Sequence, residues 1–307
     1  MIQSVSIRNA VKTYGGKQAV DGLSFDVEKG SFTALLGPNG SGKSTTLRMI
    51  AGMIFPDSGT VEINGISVSD NRASALSGTG FLIETPEPYG DISGRKFLEY
   101  MGRLSGLSRE EASGEAERTL GIVGMENDAD RRSKGYSKGM RQRIMLAQSL
   151  IGSPGLLVLD EPTTGLDPFG TADFMRILKE LNSAGVSILM SSHMLHEAEE
   201  TCDHAVIIKN GKSIADGSMK ELTARSRFLV QFAGQISETD VEAVSSIDGV
   251  YDVSAVPEGI LLRMDGGDDM KAELVGRLAG MGLKVYAITK NDPLEEAFID
   301  AVKGDIR

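Results

Sequence analysis

Cysteine is almost missing from this chain of 307 residues, and Cys202 stands alone. One thiol can close no internal disulfide and build no multi-cysteine zinc site, which suits a reducing compartment, the cytosol. Its position suits a packed helix end and not a reactive thiol. Long apolar runs are missing too. No stretch reaches the roughly 18–20 apolar residues that a bilayer-spanning helix needs. The first residues, Met1-Ile2-Gln3-Ser4-Val5-Ser6-Ile7, alternate as an edge strand does and carry no basic region, so they do not read as a secretion signal. There is no internal repeat and no low-complexity tract. Positive charge is in deficit, with 32 Lys and Arg against 43 Asp and Glu, a net −11. Residues 223–307 hold 9 of those cations and 15 of those carboxylates, so over half the excess falls on just over a quarter of the length. Such a surface repels phosphate backbones and anionic headgroups. It argues against nucleic acid as a partner and against direct lipid binding, and leaves a protein partner as the route to a membrane.

Against these absences stands one dense motif. Gly37-Pro38-Asn39-Gly40-Ser41-Gly42-Lys43-Ser44-Thr45 fits the G-x-x-x-x-G-K-[ST] phosphate-binding loop. Phe32-Thr33-Ala34-Leu35-Leu36 before it reads as a short buried strand, and Thr46-Leu47-Arg48-Met49-Ile50-Ala51-Gly52 after it as the first turns of a helix. Glycines let backbone N–H groups wrap β- and γ-phosphates, and the helix dipole adds partial positive charge there. Lys43 supplies a full charge, and Ser44 or Thr45 a hydroxyl ligand for Mg²⁺.

Downstream, Leu156-Leu157-Val158-Leu159-Asp160-Glu161-Pro162 is an apolar run closed by two carboxylates. It suits a central parallel strand buried on both faces, whose carboxyl end is where open α/β sheets place ligands. There Asp160 would hold Mg²⁺ through water and Glu161 would polarise an attacking water as general base. An ordinary strand ending in a solvated acidic turn is the plainer alternative, and the phosphate loop weighs against it.

With these residues in place, the chain resembles the nucleotide-binding subunits of ATP-binding cassette (ABC) transporters over about residues 1–222. Seven motifs stand in the family's order. Tyr14 matches the aromatic that stacks on adenine, although a strand-end Tyr is common in any fold. Gly37–Thr45 is the phosphate loop. Tyr136-Ser137-Lys138-Gly139-Met140 occupies the place of the Leu-Ser-Gly-Gly-Gln signature, where Ser137 also suits a helix N-cap for a helix over Met140–Leu150. Asp160-Glu161 follow, then Gly165-Leu166-Asp167 as the dimer-interface loop. His193, in Ser191-Ser192-His193, matches the switch histidine, whereas His196 and His204 read as satisfied loop histidines. Phe81-Leu82-Ile83-Glu84 sits where the family usually carries a glutamine, so Glu84 is a candidate metal ligand beside Ser44 and Asp160.

The resemblance implies an α/β fold: a P-loop NTPase cassette of ABC type with a RecA-like core, an antiparallel β subdomain and a helical subdomain over about 85–155. It implies ATP and Mg²⁺ as cofactors and hydrolysis through Glu161 and His193. It implies a homodimer, or a dimer with a paralogue, in which Ser137, Gly139 and Asp167 close over the nucleotide of the other chain. It also implies an integral-membrane permease that receives the motion, with the Arg95–Leu104 region facing it, and a cytoplasmic site on the membrane's inner face. Lys138 replaces a small residue of the signature and either meets phosphate or ribose or faces solvent. These departures resemble the ATPases of bacitracin-, daunorubicin- and related drug-type exporters. A soluble ABC ATPase acting on nucleic acid or ribosomes is the main rival, which acidity and the single cassette disfavour. A small-molecule kinase is a further rival, opposed by the signature and His193.

Helical patterns are expected over Gly94–Leu104 and Arg109–Val123, and strands over Val186–Met190 and Ala205–Ile208. From about Thr223 the pattern changes. Strands are expected at Arg227–Phe232, Val250–Val256, Gly259–Met264 and Val285–Thr289, with helices from Ser237 to about Ile247, over Asp269–Met281, and from Asp292-Pro293 to about Val302. That order suits a small C-terminal α+β ferredoxin-like domain over residues 223–307, for dimerisation or regulation.

Overall fold

Alternation decides the first layer. In β1 (Gln3–Tyr14) Val5 and Ile7 are buried, and in β2 (Lys17–Glu28) Leu23, Phe25 and Val27 are, while the residues between reach solvent or its edge. This is the period of two that a half-buried strand imposes. The two strands pair antiparallel, and after β3 (Phe32–Leu36) the chain returns with β4 (Ser58–Ile63) and β5 (Ile66–Ser67) to complete a sheet in the order β2-β1-β4-β5. The computed structural model describes residues 3–84, 87–223, 227–234, 236–264 and 268–291.

β3 is buried at every position, and so are β7 (Leu156–Asp160) and β8 (Ser187–Ser192). Continuous burial is what strands covered on both faces require. Together with β6 (Thr79–Leu82), β9 (His204–Lys209) and β10 (Lys212–Ser218) they form a sheet in the order β10-β9-β3-β8-β7-β6. β3 runs parallel to both β8 and β9, and β7 parallel to both β6 and β8. Their carboxyl ends therefore come side by side. One apolar core joins the two sheets, packing Val5, Ile7 and Phe25 with Leu35, Val158 and Leu189. Each such side chain contributes about 1.5–3 kcal/mol on burial.

Helices are set by their caps. α1 (Lys43–Ile50) follows the loop after β3, and α2 (Arg72–Leu76) is capped by Asn71. α3 (Gly94–Leu104) is capped by Ser93, and α4 (Arg109–Val123) opens on a full capping box of Ser108 and Glu111 and ends at Gly124. α5 (Lys138–Ser149) is two residues longer at its start than the sequence suggests, because Ser137 Oγ accepts the Met140 N–H and makes Lys138 the first helical residue. α6 (Pro168–Ser183) is capped by Asp167 with proline in its first turn, and α7 (Leu195–Thr201) precedes the buried Cys202. Burial raises the Cys202 thiol pKa and leaves it unreactive. β8 runs two residues past the expected Met190, because Ser191 and Ser192 stay in register with Asp160 and Leu36.

These elements make one unit, Met1–Gly217, and Ser218–Arg307 make a second. The second opens with α8 (Met219–Thr223), then β11 (Arg227–Phe232), α9 (Glu238–Ser245), β12 (Val250–Val256), β13 (Gly259–Met264), α10 (Asp268–Gly280) and β14 (Val285–Asn291). Its antiparallel sheet runs β12-β13-β11-β14. Alternate residues Phe228, Val230, Ile260 and Leu262 share a core with Val244 of α9 and with Leu274 and Leu278 of α10. The strand-helix-strand-strand-helix-strand order is the one expected from the sequence. The helix expected from Asp292 to Val302 lies outside the described residues. No helix of the described residues is long and apolar enough to cross a membrane.

Candidate functional site

The loop between β3 and α1 curls because Gly37, Gly40 and Gly42 take backbone angles that side chains resist. Gly42, the residue before α1, has φ 109°, and a Cβ there would collide with Ala19 O. The turn brings Lys43 back over the loop. Its Nζ donates to Gly37 O at 2.7 Å and to Pro38 O at 3.2 Å, and lies 3.5 Å from Glu161 Oε1. With only 4% of Lys43 exposed, burial lowers its pKa, and Glu161 pulls partly the other way. Ser41 is also buried, and its Oγ has no partner. A cleft of about 320 Å³ opens here, lined by Tyr14, Lys17 and Ala19 of the first sheet, by Asn39, Gly40 and Gly42–Thr45, and by Glu161. Tyr14 is half exposed at the end of β1, with Lys12 Nζ 5.8 Å from its ring centre.

At the end of β7 the two carboxylates are separated by function-defining surroundings. Asp160 Oδ1 accepts from Ser44 Oγ at 3.2 Å and from Ser191 Oγ at 2.6 Å. The same Ser191 Oγ accepts the Glu161 N–H at 2.9 Å. Glu161 has φ 43°, a left-handed backbone that costs a non-glycine residue about 1–3 kcal/mol. That turn aims its carboxylate back over the cleft. Oε2 accepts from Thr164 Oγ1 at 3.0 Å and meets His193 Nδ1 at 3.2 Å. An ionised carboxylate only accepts, so Nδ1 is the protonated nitrogen in this arrangement. Burial alone would raise the Glu161 pKa, but the Thr164 hydroxyl, Lys43 and His193 outweigh it and hold it below the usual carboxylate value. Hydroxyl and carboxylate oxygens at Ser44 and Asp160 are hard donors. No group of three or more His, Cys, Asp or Glu suited to a metal occurs among the described residues. Such hard oxygens fit a cation such as Mg²⁺, which keeps water and takes its other oxygens from phosphate.

Several expected site residues lie elsewhere. Ser137 and Gly139 sit at the start of α5, where Tyr136 is anchored by donating to Asp128 O and accepting from Gly94 N–H. They line a different hollow, of about 780 Å³, together with Gly165, Leu166 and Asp167. Asp167 Oδ1 there accepts the Gly170 N–H at 2.7 Å. Lys138 is exposed, as one of its two expected courses has it, and its Nζ lies against Gly165, where an added Cβ would collide with it. Glu84 is not drawn into the Ser44–Asp160 group. Its carboxylate pairs with Arg48 Nη2 at 3.1 Å, one turn along α1. His196 faces Glu200 at 3.4 Å, and His204 bonds Asp216 at 2.6 Å. Ser191, Thr164 and Lys17 are site residues that sequence reasoning missed. Only Ser191 had a signal, its place directly before Ser192-His193.

Residues 20–164 match the ABC transporter family. The chain is 32% identical over 302 residues to the bacitracin transport ATP-binding protein BcrA of Bacillus licheniformis, covering 98% of this chain and 97% of that protein. It is 34% identical over 257 residues to the linearmycin resistance ATP-binding protein LnrL of Bacillus subtilis (strain 168), covering 83% and 82%. Among solved structures, cbiO1 from Clostridium perfringens, part of the ABC transporter complex cbiONQ, aligns with a TM-score of 0.67 at 26% identity, over 73% of this chain and 92% of that one. The ATP-binding cassette MJ0796, in a dimeric post-hydrolysis state bound to ADP and Pi, aligns with a TM-score of 0.63 at 25% identity, over 70% and 98%.

Proposed function

The chain belongs to the ABC transporter family as an ATP-binding, ATP-hydrolysing subunit, and from that premise we propose that two copies close around ATP to drive export through a separate membrane permease. One observation supports this most. Lys43, Ser44 and Glu161 share one cleft, with Asp160 bonded to Ser44, while Ser137 and Gly139 line another. A single chain thus offers half a site twice, and a second copy supplies the missing half of each.

In this reading Tyr14 stacks on adenine, and the loop Gly37–Thr45 wraps the phosphates. Lys43 exchanges its carbonyl partners for phosphate oxygens. That exchange frees Glu161 from its ion pair, so its pKa rises toward that of a competent base. Glu161 takes a proton from water as the water oxygen attacks the γ-phosphorus; the bond to the bridging oxygen breaks, and ADP leaves with the electron pair. His193 orients the Glu161 carboxylate. Ser44 and Asp160 would hold Mg²⁺, which when bound neutralises developing charge on the phosphates. The partner's Ser137, at the dipole end of α5, caps the γ-phosphate. Residues 1–222 form the cassette in this scheme, and 223–307 a ferredoxin-like appendage that regulates or strengthens pairing.

Relatives named for bacitracin transport, linearmycin resistance and Nod factor export support an exporter held at the cytoplasmic face by its permease. Sedimentation of Glu161→Gln tests the central step. With saturating ATP and Mg²⁺ it should sediment as a dimer and without ATP as a lighter species. A monomer under both conditions would sink the closed-dimer reading.

A further inference from the structure

One buried hydroxyl, two residues before His193, has been given no part in binding or hydrolysis. Ser191 lies in β8 opposite Asp160 in the parallel register and is completely buried. A hydroxyl has one proton to give and lone pairs to receive with. Here the proton goes to Asp160 Oδ1 and a lone pair takes the Glu161 N–H, which fixes the rotor in a single orientation. The neighbouring Ser192 has no such reach; its Oγ pairs with Met194 instead. Two consequences follow from the bonding. The Ser191 proton leaves Asp160 Oδ1 holding two hydroxyl donors, Ser191 and Ser44, so the carboxylate cannot rotate without breaking one of them. The bond to the Glu161 N–H secures a left-handed residue at the one backbone donor that its turn exposes.

We propose that Ser191 is a positioning residue for ATP hydrolysis, holding the metal-binding carboxylate of Asp160 and the base Glu161 in one fixed relation. Completely buried, it acts through those two residues. The inference rests on the roles proposed above for Asp160 and Glu161. Partners that orient metal-holding and catalytic groups typically change activity or metal affinity about 10- to 100-fold when removed.

The test uses the full chain, with Ser191→Ala and Ser191→Thr beside Asp160→Asn and Glu161→Gln as references. Ser191→Ala should lower kcat about 10- to 100-fold while the KM for ATP stays close to wild type. It should also raise the Mg²⁺ concentration at which a fluorescent ATP analogue half-saturates the chain, a readout independent of turnover. Ser191→Thr keeps the oxygen and suits a strand, so it should restore both values. An unchanged kcat and Mg²⁺ midpoint in Ser191→Ala overturns the proposal, and so does a Ser191→Thr chain as slow as the alanine variant. If Ser191→Ala does not fold, Ser191→Cys decides. It fills the space with a weak donor, so reduced kcat supports the proposal and full kcat overturns it. Wild-type turnover in Asp160→Asn and Glu161→Gln would instead overturn the underlying assignment of the chemistry.

Discussion

The phosphate-loop half and the signature half of the site are built in opposite ways. In the first, Lys43 is 4% and Asp160 8% exposed, and both are bonded to other members of the site. In the second, Ser137 and Lys138 are exposed, and their groups serve local structure: Ser137 caps its own helix and Lys138 folds on Gly165. The buried half has paid its desolvation cost in advance and carries strain at Glu161, as catalytic groups do. The exposed half is a helix end whose local bonds cost little to rearrange, as the proposed role of Ser137 in the partner's site would need. One half is preorganised and the other is a surface, which is the division that a shared site between two chains needs.

The largest expected effect tests that division directly. Lys43→Ala and Ser137→Ala should each abolish most hydrolysis alone. Mixed together they should regain activity, because a mixed pair contains one composite site with both lesions and one with neither. An ATPase assay on the mixture, against each variant separately, checks it; no gain on mixing would mean that both residues serve one chain's own site.

A middle-sized effect comes from pH. The Glu161 carboxyl sits below its usual value in the free chain and rises when Lys43 turns to phosphate, so hydrolysis should fail as pH falls, with the acid limb of kcat lying above that of kcat/KM. Its contribution to stability has the same sign: present above the unfolded pKa and lost as pH falls through the lowered folded value. Lys43 works at the alkaline end. Between its lowered value and the ordinary lysine value the unfolded chain keeps a proton that the folded chain has shed, so stability rises with pH while ATP affinity falls. Denaturation midpoints and nucleotide titrations across pH, repeated on Glu161→Gln and Lys43→Met, should lose the corresponding limb.

The smallest effect concerns the exposed half. Loss of the Ser137 cap in Ser137→Ala should cost about 0.5–2 kcal/mol of stability, and Ser137→Gly only a few tenths. Both should abolish hydrolysis alike if the hydroxyl is needed in trans. Urea denaturation paired with turnover separates the two roles. A glycine variant that hydrolyses ATP normally would reduce Ser137 to a cap.

The phosphate loop, the two carboxylates and His193 were legible because their signals are local. A glycine-rich turn between an apolar run and a helix leaves its mark within a dozen residues, and so does the cap at Ser137. The surroundings of Glu84 were hidden for the opposite reason. Its alignment with a metal ligand said nothing of Arg48, which reaches it from α1. Lys138 against Gly165 and Ser191 between two carboxylate residues were equally silent, since each meets a partner far along the chain.

Composition and pattern by themselves determined the buried strands, the curled loop, the charges at their ends and the separate strand-helix order after residue 223. Steric limits on the backbone and the burial of apolar side chains act over a few residues and leave a readable trace. Only the tertiary structure decided that Lys43 meets Glu161, that Ser191 joins Asp160 to Glu161, and that Ser137 stands apart from them all. β3, β7 and β8 are buried on both faces, so no alternation marks which residue lies beside which. Their register is settled by packing in the assembled sheet, and the site exists at the ends where that register brings them level.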